Sequence, residues 1–375
     1  MPAARRPGSP WLSLDPDSGI ELRSPTRFPR LRLRAHLRPR LFPPKPSTVA
    51  SLFVLVVVGF WLIENLVRTP TIFLSLILVG LTNGSVYALL AMGYTLIYGI
   101  IDTINFAHGD VFNFGAMISA SIAQRANVAA ASLGWQLLLL GLMLVSAMAF
   151  SAAVSGVIEL VAFRPLRDAP RIAPLIASVG VVFILENILL NWQGSDNFRV
   201  IDPILPTSEI FQINGFEFTW DKLIVILLAL GMLLLLGALL GRSKYGRAIR
   251  ATSQNREAAA MVGVNVNRTI HSTFLLSGAL AGAAGFVFLL YETNVSWDQG
   301  FPLGLVALTA AVLGGIGSPL GAALGSLVIG ITEALNDGLQ WHAPGSDWTL
   351  SIVFAILIIL LVLRPSGLIG RAEEI

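Results

Sequence analysis

The chain has 375 residues, 55% hydrophobic and only 13% charged, where soluble proteins carry about 25% charged residues. This excludes a soluble domain and predicts one polytopic membrane domain, because several runs reach the roughly 20 apolar residues needed to cross the hydrocarbon core. The absence of cysteine excludes disulfides, thiolate metal sites and cysteine nucleophiles. The net charge of +3 sits at the N-terminus and the membrane flanks, where it reports topology rather than nucleic-acid binding.

Residues 1–48 place Arg5, Arg6, Arg23, Arg27, Arg30, Arg32, Arg34, Arg38, Arg40 and Lys45 among prolines with little apolar content. Such a segment cannot bury enough surface to fold alone and reads as a disordered, basic, cytosolic tail. It does not read as a cleaved signal peptide, because the basic region is too long and no small-residue cleavage site follows the apolar run. The transmembrane domain is expected over 49–371. Its candidate spans lie at about 50–67, 72–101, 104–124, 134–163, 172–192, 220–241, 269–291, 302–316, 319–336 and 347–363. Those at 104–124, 302–316 and 319–336 are short or glycine-interrupted, so eight to ten helices are expected. The long apolar runs exclude a β-barrel, whose strands alternate in polarity.

Arginine and lysine in short loops set the orientation. Arg164, Arg167 and Arg171 mark one cytosolic loop, and Arg242, Lys244, Arg247, Arg250, Arg256 and Arg268 another. The acidic stretch 193–219 reads as external. Ten spans then put both termini in the cytosol, with Arg68 and Arg125 as small violations.

Gly80 and Gly84, Gly278 and Gly282, and the triple Gly317, Gly321 and Gly325 have GxxxG spacing. In lipid such faces let helix backbones approach closely. Two segments look broken. One runs from Gly99 to Asp110 and contains Asn105 and His108. The other holds Gly314, Gly315, Gly317 and Pro319. Backbone released from helical bonding at membrane depth must be buried in protein or line a cavity, and paired broken segments point to a translocation path. Two readings stand: a pathway lining, or capped turns in which Asn105, His108 and Asp110 satisfy loose backbone groups. Glu64, Glu159, Glu186, Glu292 and Glu333 fall within or at the ends of spans, where charge is costly. Glu186 is the deepest by position and is a pathway candidate, since a buried carboxylate could pair a solute ammonium while the N-terminus of a broken helix holds a solute carboxylate. Glu159, Glu292 and Glu333 lie near span ends, where snorkelling or pairing with a cytosolic arginine suffices.

The polar, basic interruption at 242–268 contains Glu257-Ala258-Ala259 with Gly263 four residues on. It resembles the "EAA…G" coupling loop of bacterial ABC-importer permeases. The run Asn83–Gly99 with Ile104–Asp110 resembles the N-terminal signature of branched-chain amino-acid ABC permeases, closest to their H-type subunit. Thr309–Ala322 and Arg364–Arg371 are similar to later parts of the same family. These islands occur in matching order from about residue 70 to 371. The resemblance implies an all-α inner-membrane permease whose loop docks a short helix on cytosolic ATP-binding subunits. It also implies a second, related permease subunit and a periplasmic solute-binding protein. The family usually begins near the equivalent of residue 70, so the tail and first span depart from its pattern.

No G-x-x-x-x-G-K-[ST] run occurs, so ATP binding through a P-loop is not expected on this chain. No H-E-x-x-H run occurs either. His36, His108, His271 and His342 are scattered, and His108 beside Asp110 reads as a local hydrogen bond rather than a metal site. No cofactor and no catalytic residue are expected. A stand-alone secondary transporter or channel is the competing reading, and it would have no use for the Glu257 loop.

The tail lacks apolar periodicity, so its deletion, keeping Lys45 and the first span, should leave uptake within about a factor of two, or roughly 0.4 kcal/mol. Uptake by cells expressing the truncated chain checks this. Lost insertion would show instead that the tail sets topology.

Overall fold

The computed structural model describes residues 46–170, 172–194, 199–213, 216–363 and 367–368. Residues 1–45 of the expected tail lie outside them. Its last residues, from Pro46 on, already belong to a helix. Proline is favoured at a first helical position, where its missing N–H is not needed.

In chain order the elements are α1 (Pro46–Arg68), α2 (Pro70–Ile101), α3 (His108–Ala126), α4 (Leu133–Ile158), α5 (Ile172–Gln193), β1 (Arg199–Val200), β2 (Glu209–Ile213), β3 (Phe216–Thr219), α6 (Trp220–Arg242), α7 (Lys244–Gln254), α8 (Arg256–Met261), α9 (Val266–Glu292), β4 (Asn294–Val295), α10 (Gly300–Gly314), α11 (Pro319–Gly338) and α12 (Thr349–Leu363). All ten apolar segments read from the sequence are helical. Among the described residues, six helices are long and apolar enough to cross a membrane: α2, α4 with its extension to Leu166, α5, α6, α9 and α11. α10 and α12 have 15 residues each, about 22 Å of helix against a core of about 30 Å. The expected external stretch also carries structure that periodicity did not suggest. β2 and β3 form an antiparallel hairpin, and β1 pairs with β4.

The core is helix on helix, with α9 at its centre. Of its apolar window 78% is buried, against 17% for α6. Phe112 and Met117 of α3, Met143 of α4 and its own Phe274 are fully buried there. Contact is close because small residues remove side chains from the seams. A Cβ at Gly84 would lie 2.8 Å from Leu327 Cα, and one at Gly330 only 2.4 Å from Gly84 N, which locks α2 to α11. A Cβ at Gly282 would lie 2.3 Å from Ala147 O on α4, and one at Gly285 2.3 Å from Phe112 O on α3. Serines stitch α9 to α4 and to α2. Ser155 Oγ donates to Phe274 O at 2.8 Å, and Ser277 Oγ to Gly93 O at 2.9 Å. Gly80, Gly84, Gly278, Gly282, Gly321 and Gly325 all sit at such contacts, but Gly317 does not. It is exposed, has φ +93°, and has nothing within 4 Å of a built Cβ; the positive φ is why the turn before Pro319 needs glycine there.

Gly330→Leu should therefore force α2 and α11 apart. Overpacking of this kind costs about 1–3 kcal/mol, so folded protein in detergent and its melting temperature should both fall. Gly180→Leu on α5, where nothing lies within 4 Å, should leave both nearly unchanged.

Candidate functional site

The chain between α6 and α9 is built from three capped starts. Ser243 Oγ accepts from Gly246 N to begin α7, Asn255 Oδ1 from Ala258 N to begin α8, and Asn265 Oδ1 from Arg268 N to begin α9. Each cap satisfies a helix N–H without a partner in its own helix. α8 therefore forms as a short helix carrying Glu257, Ala258 and Ala259. Gly263, at φ +87°, turns the chain out of it. Ala259 is buried, whereas Glu257 and Ala258 are exposed and Met261 and Val262 are 82% and 78% exposed. Arg256 reaches back and donates to Ile100 O at 2.8 Å. The loop is thus tied directly to the last turn of α2.

Beside it opens a cleft of about 950 Å³. Its walls include Tyr98 and Asp102 from the end of α2, Arg167 after α4, Asn255 and Glu257 from the loop, and Gly317 from the turn between α10 and α11. Beside the cleft, sharing Tyr98 and Ile316 with it, is a cavity of about 10 Å³, lined among others by Tyr94, Ile104 and Leu308. The two broken segments meet here, through Ile104 and Ile316.

The first broken segment is short. α2 ends at Ile101, Asp102 takes a left-handed conformation, and α3 begins at His108. Asn105 is buried and its Oδ1 accepts from Ala107 N at 3.2 Å. His108 is buried edge-on to Tyr94, with ring centroids 4.7 Å apart. Asp110 is fully buried, and among the described residues neither carboxylate oxygen has a hydrogen-bond partner. Glu186, half-buried on α5, is close enough to act electrostatically on Asp110.

The second segment is a packed turn. Gly314 and Gly315 are buried. Gly314 backs onto Gly321, with a built Cβ 1.9 Å from Gly321 O, and a Cβ at Gly367 would lie 2.6 Å from Gly315 Cα. Leu368 N donates to Leu313 O at 2.9 Å. Gly367 and Leu368 thus pack on this turn, and of its residues Ile316 and Gly317 face the cleft.

A second polar cluster lies at the same end. Glu159, fully buried in the π-helical turn that ends α4, is held by Arg164, by Arg167 and by His271 Nδ1 at 2.8 Å, while Arg167 also donates to Asn267. Pairing with Arg164 and Arg167 follows the expectation for a glutamate at a span end. The link to His271 on α9 was not legible, since 112 residues separate the two. Asn113 was missed in the same way. It donates to Ser296 O at 2.8 Å and Trp297 O at 2.9 Å, fixing α3 to the start of α10. Among the described residues no group of three or more His, Cys, Asp or Glu could hold a metal ion.

The profile of the family described as "Branched-chain amino acid transport system / permease component" matches residues 76–362. The chain belongs to this family. It is similar to the high-affinity branched-chain amino acid transport system permease protein BraD of Pseudomonas aeruginosa, at 36% identity over 301 residues, 78% of this chain and 94% of that protein. It is also similar to the permease protein LivH of Escherichia coli K12, at 35% identity over 306 residues, 80% of this chain and 96% of that protein. A more distant likeness, 28% over 203 residues, covers 50% of this chain and 54% of the fructose import permease protein FrcC of Rhizobium meliloti. No solved structure matches. The chain is accordingly an all-α inner-membrane permease subunit of the ABC-importer class.

Glu159→Ala in this permease removes the shared partner of two arginines and a histidine. Breaking a buried pair costs about 3–5 kcal/mol, so the melting temperature in detergent and the folded yield should drop sharply. Glu159→Gln, which keeps the shape and some hydrogen bonds, should fall between this variant and the wild type.

Proposed function

We propose that this permease imports a branched-chain amino acid, or a closely related small polar solute, in an ATP-driven complex. The complex would hold two cytosolic ATP-binding subunits, a second, related permease subunit and a periplasmic solute-binding protein, set in the lipid of a bacterial inner membrane with both termini of this chain in the cytosol. Nucleic acid has no part in it, and ATP hydrolysis belongs to the separate subunits, because this chain has no P-loop.

The observation that carries the reading is the α7–α8 loop. It offers an exposed face with Glu257, Ala258, Met261 and Val262, of the kind a helix lays into a partner's groove, while its Arg256 holds the end of α2. A push on α8 is thereby delivered to the segment that leads into Asn105, His108 and Asp110. A stand-alone carrier would need neither the exposed apolar tip nor the tie. The likeness to permeases named for branched-chain amino acids over most of the chain supports the solute class. The weaker likeness to a permease named for fructose supports a shared core in which the binding protein does most of the selecting.

Glu257→Lys and Gly263→Leu should each cut ATP-driven uptake by more than about tenfold while insertion stays normal, because insertion depends on the spans. The Leu variant also carries a left-handed residue at a cost of about 1–2 kcal/mol. Normal uptake with both changes, or cross-linking that finds the loop in the periplasm, would contradict the assignment. The solute is identified by which loaded binding protein stimulates the ATPase of the purified complex.

A further inference from the structure

The starts of α3 and α10 cross inside the bundle. A Cβ at Gly109 would lie 2.2 Å from Gly300 O, and one at Gly304 2.8 Å from Gly109 Cα. Neither start has a side-chain cap. The residue before α3 is Ala107, and Gln299, before α10, spends its side chain on Asn113 and Ser296. Two positive helix ends therefore meet, and because His108 N at the start of α3 already donates to Asn105 O, it is the start of α10 that can face an anion. Against them sits Asp110. It is 0% exposed, its Oδ1 lies 2.7 Å from where a Gly300 Cβ would stand, and neither oxygen is hydrogen-bonded. A buried carboxylate is retained where something pairs with it.

The crossing also lies at the inner end of a route. The 950 Å³ cleft shares Tyr98 and Ile316 with a small cavity that Tyr94 and Ile104 also line. The Tyr94 hydroxyl stands 2.9 Å from a Cβ built at Gly304, and its ring packs on His108. Tyr94 thus lines the small cavity and also touches the crossing. Phe106 and Phe301, half-buried with ring centroids 6.5 Å apart, flank the crossing with apolar surface.

We propose that Asp110 is the ammonium subsite of the transport path: when the α3–α10 crossing opens, its carboxylate pairs with the primary ammonium of an amino acid. The uncapped start of α10 takes the solute carboxylate, and Phe106 with Phe301 takes the apolar side chain. In the closed arrangement the glycine contacts fill this space and Tyr94 shuts it from the cleft. The inference rests on the importer reading above and names its substrate contacts.

The test uses the complete complex in proteoliposomes, with binding protein loaded with radiolabelled L-leucine. Asp110→Asn keeps the volume and removes the charge. Losing a charge-assisted contact should lower uptake by more than about tenfold, with assembly and binding-protein-stimulated ATPase activity retained. Uptake at the wild-type rate overturns the proposal. So does an assembled complex that loses ATPase activity together with uptake, since that marks a coupling role. If the Asn variant does not assemble, dicyclohexylcarbodiimide labelling of Asp110 in the wild-type complex decides. Turnover with leucine-loaded binding protein should slow the labelling, and an unchanged rate overturns the proposal. A wild-type complex with no ATP-dependent leucine, isoleucine or valine uptake would sink the importer reading and this inference together. Wild-type uptake with an unaffected Asp110→Asn variant would sink this inference alone.

Discussion

Everything in this permease depends on how closely its helix backbones approach. Lipid tails are as apolar as leucine, so helices in a membrane gain little by hiding apolar faces from their surroundings. They associate through van der Waals packing and interhelical hydrogen bonds. The seams of α2 with α11, of α4 with α9 and of α3 with α9 and α10 are made where glycine brings backbone onto backbone, and serine hydroxyls bond α4 to α3 and α9, and α9 to α2. Leucine and valine crowd the outer faces of α4, α5 and α6 instead. A central α9 held on three sides gives a rigid frame against which short or interrupted helices can be placed.

Two buried carboxylates within that frame are treated in opposite ways. Glu159 is surrounded by Arg164, Arg167 and His271, so its charge is met where α4 ends and α9 begins. It fastens the end of the bundle that carries the α7–α8 loop. Asp110 has no such partner and sits where two helix starts meet. The first arrangement is that of a structural clamp and the second that of a site. Arg256 joins the two regions, because it links the loop to Ile100 at the end of α2, eight residues before α3 begins. On this account the cleft between them is the cytosolic mouth of the path.

Much of this was legible in the sequence. Long apolar runs fixed ten helical segments because crossing the membrane demands length and apolarity, both local properties. The short helix at Glu257-Ala258-Ala259 was expected from the resemblance, whereas the caps at Ser243, Asn255 and Asn265, which follow equally local rules, were not read from the sequence. The GxxxG pairs announced seams but not their partners. Gly317, counted with Gly321 and Gly325, turned out to be a turn residue, since spacing alone cannot tell a helix face from the residue before a proline start. Contacts between distant segments left no mark in periodicity. These include β1 with β4, Glu159 with His271, Asn113 with Ser296 and Gly109 with Gly300. They depend on which helix lies beside which, and that is settled by the whole bundle.

The account turns on the claim that the cleft opens to the cytosol and leads inward. Because the chain has no cysteine, Ile316→Cys places a single thiol where the cleft meets the small cavity. A membrane-impermeant maleimide should label it in inside-out vesicles and not from the periplasmic side of intact cells, and the rate should change between the nucleotide-free and ATP-bound complex. Labelling from the periplasmic side, or the same rate in both states, would contradict it.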